Sequence, residues 1–158
     1  MPAFLFKTRF LIAILCSVLI LALSCKKAVE NKTANILEQY FEQNVLNRDF
    51  RVNLATDNGT DLTNDYTGYI FRLEKNSSTN SNTEGPMLAK LNGTVTCTGT
   101  WGCTEEFGKL TINLTIPTAP AGFDFLNRSW KFTEKAFPIM KLAPWGSTAP
   151  KVLYMERL

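Results

Sequence analysis

The chain of 158 residues contains no histidine, so the side chains able to do chemistry are carboxylates, amines, tyrosines and four cysteines. That removes Ser/His/Asp and Cys/His triads, every histidine-ligated metal site, and with them most hydrolytic mechanisms. No glycine-rich phosphate loop of the P-loop or dinucleotide-binding kind occurs either. The densest grouping of oxygen ligands is Asp57-Asn58-Gly59-Thr60-Asp61, with Asp65 nearby. Alternating oxygen side chains around a glycine can wrap a calcium ion, but the remaining EF-hand spacing, including the bidentate Glu, is missing. The same residues suit a polar turn between strands, which needs Asp, Asn and Gly for its backbone angles, and that reading is adopted. Glu105-Glu106 is a second acidic pair. Neighbours on a strand point to opposite faces, and on a turn both meet water, so no paired-acid site follows. The expectation is a non-enzymatic protein with no catalytic residue, no metal site and no cofactor.

The cysteines divide by position. Lys7 and Arg9 precede an apolar run from Phe10 to Leu23, and no acid stands in the first 24 residues. Basic flank, then apolar stretch, is the order of a secretory signal. At about 14 residues the stretch is short of the roughly 20 that span a bilayer as a helix. It ends in Ala22-Leu23-Ser24-Cys25, followed by Lys26-Lys27. This resembles a lipobox, which implies that Cys25 is lipidated, becomes the mature N-terminus and holds the protein to a membrane without crossing it. Cys16 would leave with the signal, so Cys97 and Cys103 remain in an oxidising compartment where a disulfide is permitted. On one straight strand they would stand about 20 Å apart. A bridge therefore requires a turn near Trp101-Gly102; the alternative is two separate thiols, one of them buried.

Residues 1–24 are thus read as the signal, 25–34 as a lipidated polar tether, and 35–158 as a single domain. Without the leader the net charge is about +1, and no basic patch interleaved with aromatics points to nucleic acid. Asn35 with Glu38 forms a capping-box pattern. Ile36, Leu37, Tyr40, Phe41 and Val45 then share one helical face, so one short helix is predicted over Asn35–Leu46. After it the period becomes two: Phe50, Val52 and Leu54, then Tyr69, Phe71 and Leu73. Asn76–Thr83, almost all Asn, Ser and Thr, is predicted as a mobile loop. Asn92-Gly93 joins Met87–Leu91 to Thr94–Trp101 as a hairpin. Leu110 to Ile116, Phe123–Thr133, Ile139–Leu142 and Lys151–Arg157 complete about eight strands, with connections too short for crossover helices. The fold class is therefore mainly all-β, an antiparallel meander closing as a barrel or a sandwich.

In the order of lipobox, Lys-Lys, short helix and β meander, the chain resembles the small lipoproteins of Bacteroidota, many of which carry lipocalin-like domains. Asn47-Arg48-Asp49-Phe50, Asn127-Arg128-Ser129-Trp130-Lys131-Phe132 and Ala143-Pro144-Trp145-Gly146 are similar to segments of uncharacterised members of that group. The resemblance covers most of the mature chain and carries no activity with it. The G-x-W that lipocalins place on their first strand stands here as Gly99-Thr100-Trp101, near the middle.

Trp101, Phe123, Phe125, Trp130, Phe132 and Trp145 line a ligand pocket or form the core, and in a domain this small the core is the expectation. Trp130 and Phe132 share one face of a strand and should point inward. Trp145, between Pro144 and Gly146, is expected on the surface and is the candidate ligand-binding residue. The function expected is a membrane-anchored envelope module that binds a small apolar ligand or an envelope partner. The alternative is a structural or accessory subunit of an outer-membrane assembly. With Lys rather than Asp after Cys25, the outer membrane is the expected address, the periplasmic face favoured over the cell surface.

Overall fold

A computed structural model describes residues 36, 38–104, 107–134 and 138–158. The signal, Cys25, the tether, the capping residue Asn35 and Glu105-Glu106 lie outside the described residues. Among the described residues nine strands form: β1 (Asp49–Asp57), β2 (Thr60–Asp61), β3 (Tyr69–Leu73), β4 (Glu84–Leu91), β5 (Thr94–Thr104), β6 (Lys109–Ile116), β7 (Ser129–Glu134), β8 (Ile139–Pro144) and β9 (Lys151–Arg157). Every pairing is antiparallel. The sheet runs from β1 through β3 to β9, and β9 pairs back onto β1. Eight strands therefore close a barrel, which settles the choice between barrel and sandwich, and β2 is an extra strand on the free end of β1.

Turn chemistry sets this order. Asn58-Gly59 and Asn92-Gly93 both have two residues in the left-handed region, with φ of 50° and 83° in the first and 51° and 85° in the second. Such turns match the strand twist and join β1 to β2 and β4 to β5. Register shifts interrupt the ladders between Val52 and Leu54, Ala89 and Lys90, Thr98 and Gly99, and Phe132 and Glu134. An extra residue in one strand reverses which side chains face inward beyond it. Leu54, expected on the face of Phe50 and Val52, is accordingly only half-buried, and Ala55 takes the inward place.

The interior is a single apolar cluster, with no fully buried polar or charged residue among those described. Its two ends are stoppered differently. Helical turns over 38–44 precede β1 and insert Phe41, whose ring lies 5.3 Å from Trp101 and 5.5 Å from Phe107. Val45 and Leu46 are buried with it, whereas Ile36, expected on the packing face, is exposed. At the other end stand two 3-10 turns, η1 (Thr63–Tyr66) and η2 (Ala121–Phe125). The Tyr66 hydroxyl donates to the Gly122 carbonyl at 2.6 Å, and Tyr66 stacks on Phe123 at 6.2 Å. The strand predicted over Phe123–Thr133 therefore begins only at Ser129. Its first part winds instead, with the Phe123 N–H on the Pro120 carbonyl and the Leu126 N–H on the Phe123 carbonyl.

The polar segment Asn76–Thr83 is a loop with its own hydrogen bonds: Asn76 bridges Ser81, and its side-chain oxygen accepts the Ser78 N–H. Asn82 donates to Glu38, and Thr83 accepts the Cys103 N–H. Short Asn and Ser side chains here replace an apolar anchor with local hydrogen bonds. Cys97 and Cys103 both lie on β5, which runs through Trp101-Gly102 without the turn a bridge requires, so they are separate buried thiols.

Candidate functional site

Most of the described carboxylates are engaged with local partners. Asp57 forms an ion pair with Lys151 and accepts from the Asn58 amide. Asp61 accepts the Thr63 N–H at 2.8 Å, and the Thr63 hydroxyl and N–H together hold its carboxyl below the usual range. Asp49 takes Arg72 in a two-pronged contact at 2.7 and 2.9 Å. Glu134 pairs with Lys141, and Glu156 with Arg51. Among the described residues, no three Asp, Glu or Cys side chains are grouped to hold a metal ion.

The aromatic residues singled out in the sequence separate cleanly. Trp101, Phe123, Phe125 and Trp130 are buried, Phe132 is half-buried, and Trp145 is exposed at 38%. Each buried indole meets a carbonyl: Trp101 Nε1 donates to Glu74 at 2.8 Å, and Trp130 Nε1 to Leu126 at 3.0 Å. These rings fill the space where an open barrel would hold a ligand. Trp145 instead lies on the wall, its backbone N–H on the Ser129 carbonyl at 2.9 Å and Lys109 Nζ 5.6 Å from its ring centre.

Among the described residues, an opening lies in the wall itself. β1 has nine residues and β3 only five. Their ladder has two rungs, Asp49–Arg72 and Phe50–Phe71, and then the strands part. Farther along, η1 stands in for the missing strand. The Ala55 N–H donates to Thr63 Oγ1 at 3.0 Å, and the Ala55 carbonyl accepts the Leu62 N–H at 2.8 Å. Between the last rung and η1 lies a cleft of about 390 Å³. Its lining includes Arg51 and Val52 from β1, Tyr66 and Thr67 from the turn, and Tyr69 and Ile70 from β3. Its lining takes both Arg51 and Val52, and both Tyr69 and Ile70, residues of opposite faces, so the cleft is built on the two strand edges.

Backbone alternation adds hydrogen-bonding groups to this window. The Leu158 N–H donates to the Asp49 carbonyl, so Asp49 faces β9 and the peptide groups of Phe50 and Val52 face β3. The Asn92 N–H donates to the Gly68 carbonyl, so Gly68 faces β4 and Tyr69 faces β1. Beyond the last rung, the peptide groups of Val52 and Tyr69 thus look into the window from its two sides. Arg51 sits at the outer rim, joined to Glu156 at 2.7 Å. Burial, and then the negative charge of Asp65, push the Tyr66 phenol well above its ordinary range, so it stays a neutral hydrogen-bond donor.

Sequence reasoning did not find the window. The alternating runs Phe50 to Leu54 and Tyr69 to Leu73 are equal in length, and the difference between β1 and β3 arises only in the pairing. Comparison with protein-family models, with curated proteins and with solved structures gives no match.

Proposed function

We propose that this chain is a lipid-anchored, non-enzymatic binding module of a bacterial envelope, and that it holds a small, largely apolar ligand in the window between β1 and β3. The window is the observation that carries the reading. The interior is filled by its own aromatic rings, so a ligand has its place where the wall fails to close. Val52, Tyr69 and Ile70 supply apolar surface there, and two strand edges supply peptide groups for a carbonyl or amide. A few convergent polar groups on a mostly apolar lining suit recognition of a small molecule. The anchor is supported by the signal-like leader and the lipobox resemblance at Cys25, and Lys26-Lys27 favours the outer membrane, at its periplasmic face.

Native mass spectrometry of the full chain purified from a diderm bacterium tests both halves. The expected result is acyl mass on the peptide beginning at Cys25, together with a co-purified small molecule. That molecule should be lost in Ile70→Trp, which fills the window from its rim. An unmodified N-terminus would overturn the anchor. A ligand retained unchanged by Ile70→Trp, or a chain that carries none, would overturn the window.

A further inference from the structure

The window between β1 and β3 is bounded along its strands as well as across them. At one end stands the Phe50–Phe71 rung, and past it no rung joins Val52 to Tyr69. The far end is closed at Ala55, whose N–H donates to Thr63 Oγ1 and whose carbonyl accepts the Leu62 N–H. An extended peptide lying between the two strands would need to run on through one of these closures, so the space admits a compact molecule rather than a strand. The backbone groups it offers are those of two extended residues, Val52 and Tyr69, each with an N–H and a C=O on the same edge. The molecule shows elsewhere what pairs with such an edge. The Asn127 carboxamide meets Leu114 on β6, its Nδ2 donating to the Leu114 carbonyl at 2.9 Å and its Oδ1 accepting the Leu114 N–H at 2.7 Å. A primary amide does this because it has an N–H and a C=O side by side, cis to one another, whereas a trans peptide bond points them in opposite directions.

We infer that the window takes a cyclic dipeptide with apolar side chains, a ring whose two cis-amide edges lie back to back. One edge meets the N–H and C=O of Val52 and the other those of Tyr69, each repeating the pair of bonds that Asn127 makes with Leu114. The side chains of the ring lie against Val52, Tyr69, Ile70 and Leu158 of the lining. Ring closure holds both amides cis, a form that a linear secondary amide almost never adopts. A carboxylate carries acceptors only and an ammonium donors only, so a free amino acid or a zwitterionic linear dipeptide matches neither edge. The inference rests on the reading of the window as the ligand site and adds the chemistry of the ligand; it is independent of the anchor.

The test follows the isotope-labelled full chain by amide NMR with cyclo(Leu-Phe), its doubly N-methylated form, and linear N-acetyl-Leu-Phe methylamide, whose amides are trans. The expected result is binding of cyclo(Leu-Phe) that slows solvent exchange of the Val52 and Tyr69 N–H groups. That binding should be lost in Ile70→Trp, whose spectrum otherwise reports the folded barrel. The other two probes should bind about tenfold more weakly or worse, because each leaves strand peptide groups without a partner. Equal affinity for either of them, binding that leaves Val52 and Tyr69 exchange unchanged, or no binding of cyclo(Leu-Phe) would overturn the inference. Failure of the window itself reads differently. If the N-methylated ring binds as tightly as its parent and Ile70→Trp displaces both, the window stands and the amide class falls; if Ile70→Trp leaves every probe bound, both fall.

Discussion

Replacing Trp130 by alanine should remove much of the stability of this domain, whereas the same change at Trp145 should remove little. The Trp130 indole is fully buried, opposite Leu110 on β6 and Pro144 on β8, and 5.4 Å from the Phe125 ring. Deleting a buried indole costs about 3–5 kcal/mol, because surrounding atoms close only part of the cavity. The lost hydrogen bond adds little: the Leu126 carbonyl that accepts Trp130 Nε1 also accepts the Arg128 N–H at 2.8 Å, so it is not orphaned. A domain of this size has a total of about 5–15 kcal/mol. Trp130→Phe, which keeps a ring in place, should cost only about 1–2 kcal/mol. Trp145→Ala loses the contact with Lys109 and some exposed area, about 1 kcal/mol or less. Urea denaturation followed by far-ultraviolet circular dichroism separates the cases without relying on the fluorescence that the substitutions change, and equal slopes would show that only stability has moved. A Trp130→Ala variant within about 1 kcal/mol of wild type, or less affected than Trp145→Ala, would mean that the inward face of β7 has been misassigned.

Asn127→Ala should cost about 1–3 kcal/mol in the same assay, because its side chain donates to the Leu114 carbonyl at 2.9 Å and accepts the Leu114 N–H at 2.7 Å, replacing a ladder rung; a neutral result would show that water replaces it. At Gly99 a Cβ would lie 1.8 Å from the Asn113 carbonyl oxygen, so Gly99→Ala should destabilise by about 2 kcal/mol or more, and a variant as stable as wild type would refute the close approach of β5 and β6. Lys131→Glu should raise the thermal midpoint by turning a repulsive cross-strand pair into an attractive one worth a few tenths of a kcal/mol, about 0.2–1; a lower midpoint would show that Lys109 and Lys131 do not meet. The Asp61 carboxyl is held below its ordinary value by Thr63, so its contribution is fully present above the unfolded pKa of about 3.9 and is lost as pH falls through the folded one. Asp61→Asn should therefore flatten the acid limb of the stability–pH curve, and an unchanged limb would refute that assignment.

Period-two alternation made most of the barrel legible, because the inward residues of a small barrel are nearly all apolar and the outward ones are not. Phe71 and Leu73, Leu110 to Leu114, and Leu153 with Met155 are buried as that pattern requires. What the pattern could not carry is phase after a bulge. Nothing in Asp49–Asp57 marks Asn53 as the residue that turns Leu54 aside and brings Ala55 in, since the shift is set by pairing with β9. Phe123 and Phe125 were legible as buried, but the alternation that suggested a strand also fits a 3-10 turn, in which neither residue faces water. Of the sites, the exposure of Trp145 followed from Pro144 and Gly146 on either side of it. The window did not, because an opening is a property of two strands that fail to pair, and each strand alone looks normal.

The filling of the interior and the opening of the wall have a common origin. An eight-stranded barrel is just wide enough for its own side chains, and here Phe41 enters from one end while Tyr66 and Phe123 enter from the other. For Tyr66 to reach that position, Leu62–Gly68 must leave the sheet and cross over the rim, where its hydroxyl fastens on Gly122. Past Leu62, whose N–H still meets the Ala55 carbonyl, the segment crosses the rim and leaves β1 unpaired. β3 therefore starts late, the ladder stops after two rungs, and Val52 and Tyr69 are left facing one another without a strand between them. The ring that seals the barrel thus opens its side, and a ligand that a hollow barrel would hold at its centre has its place at this gap instead.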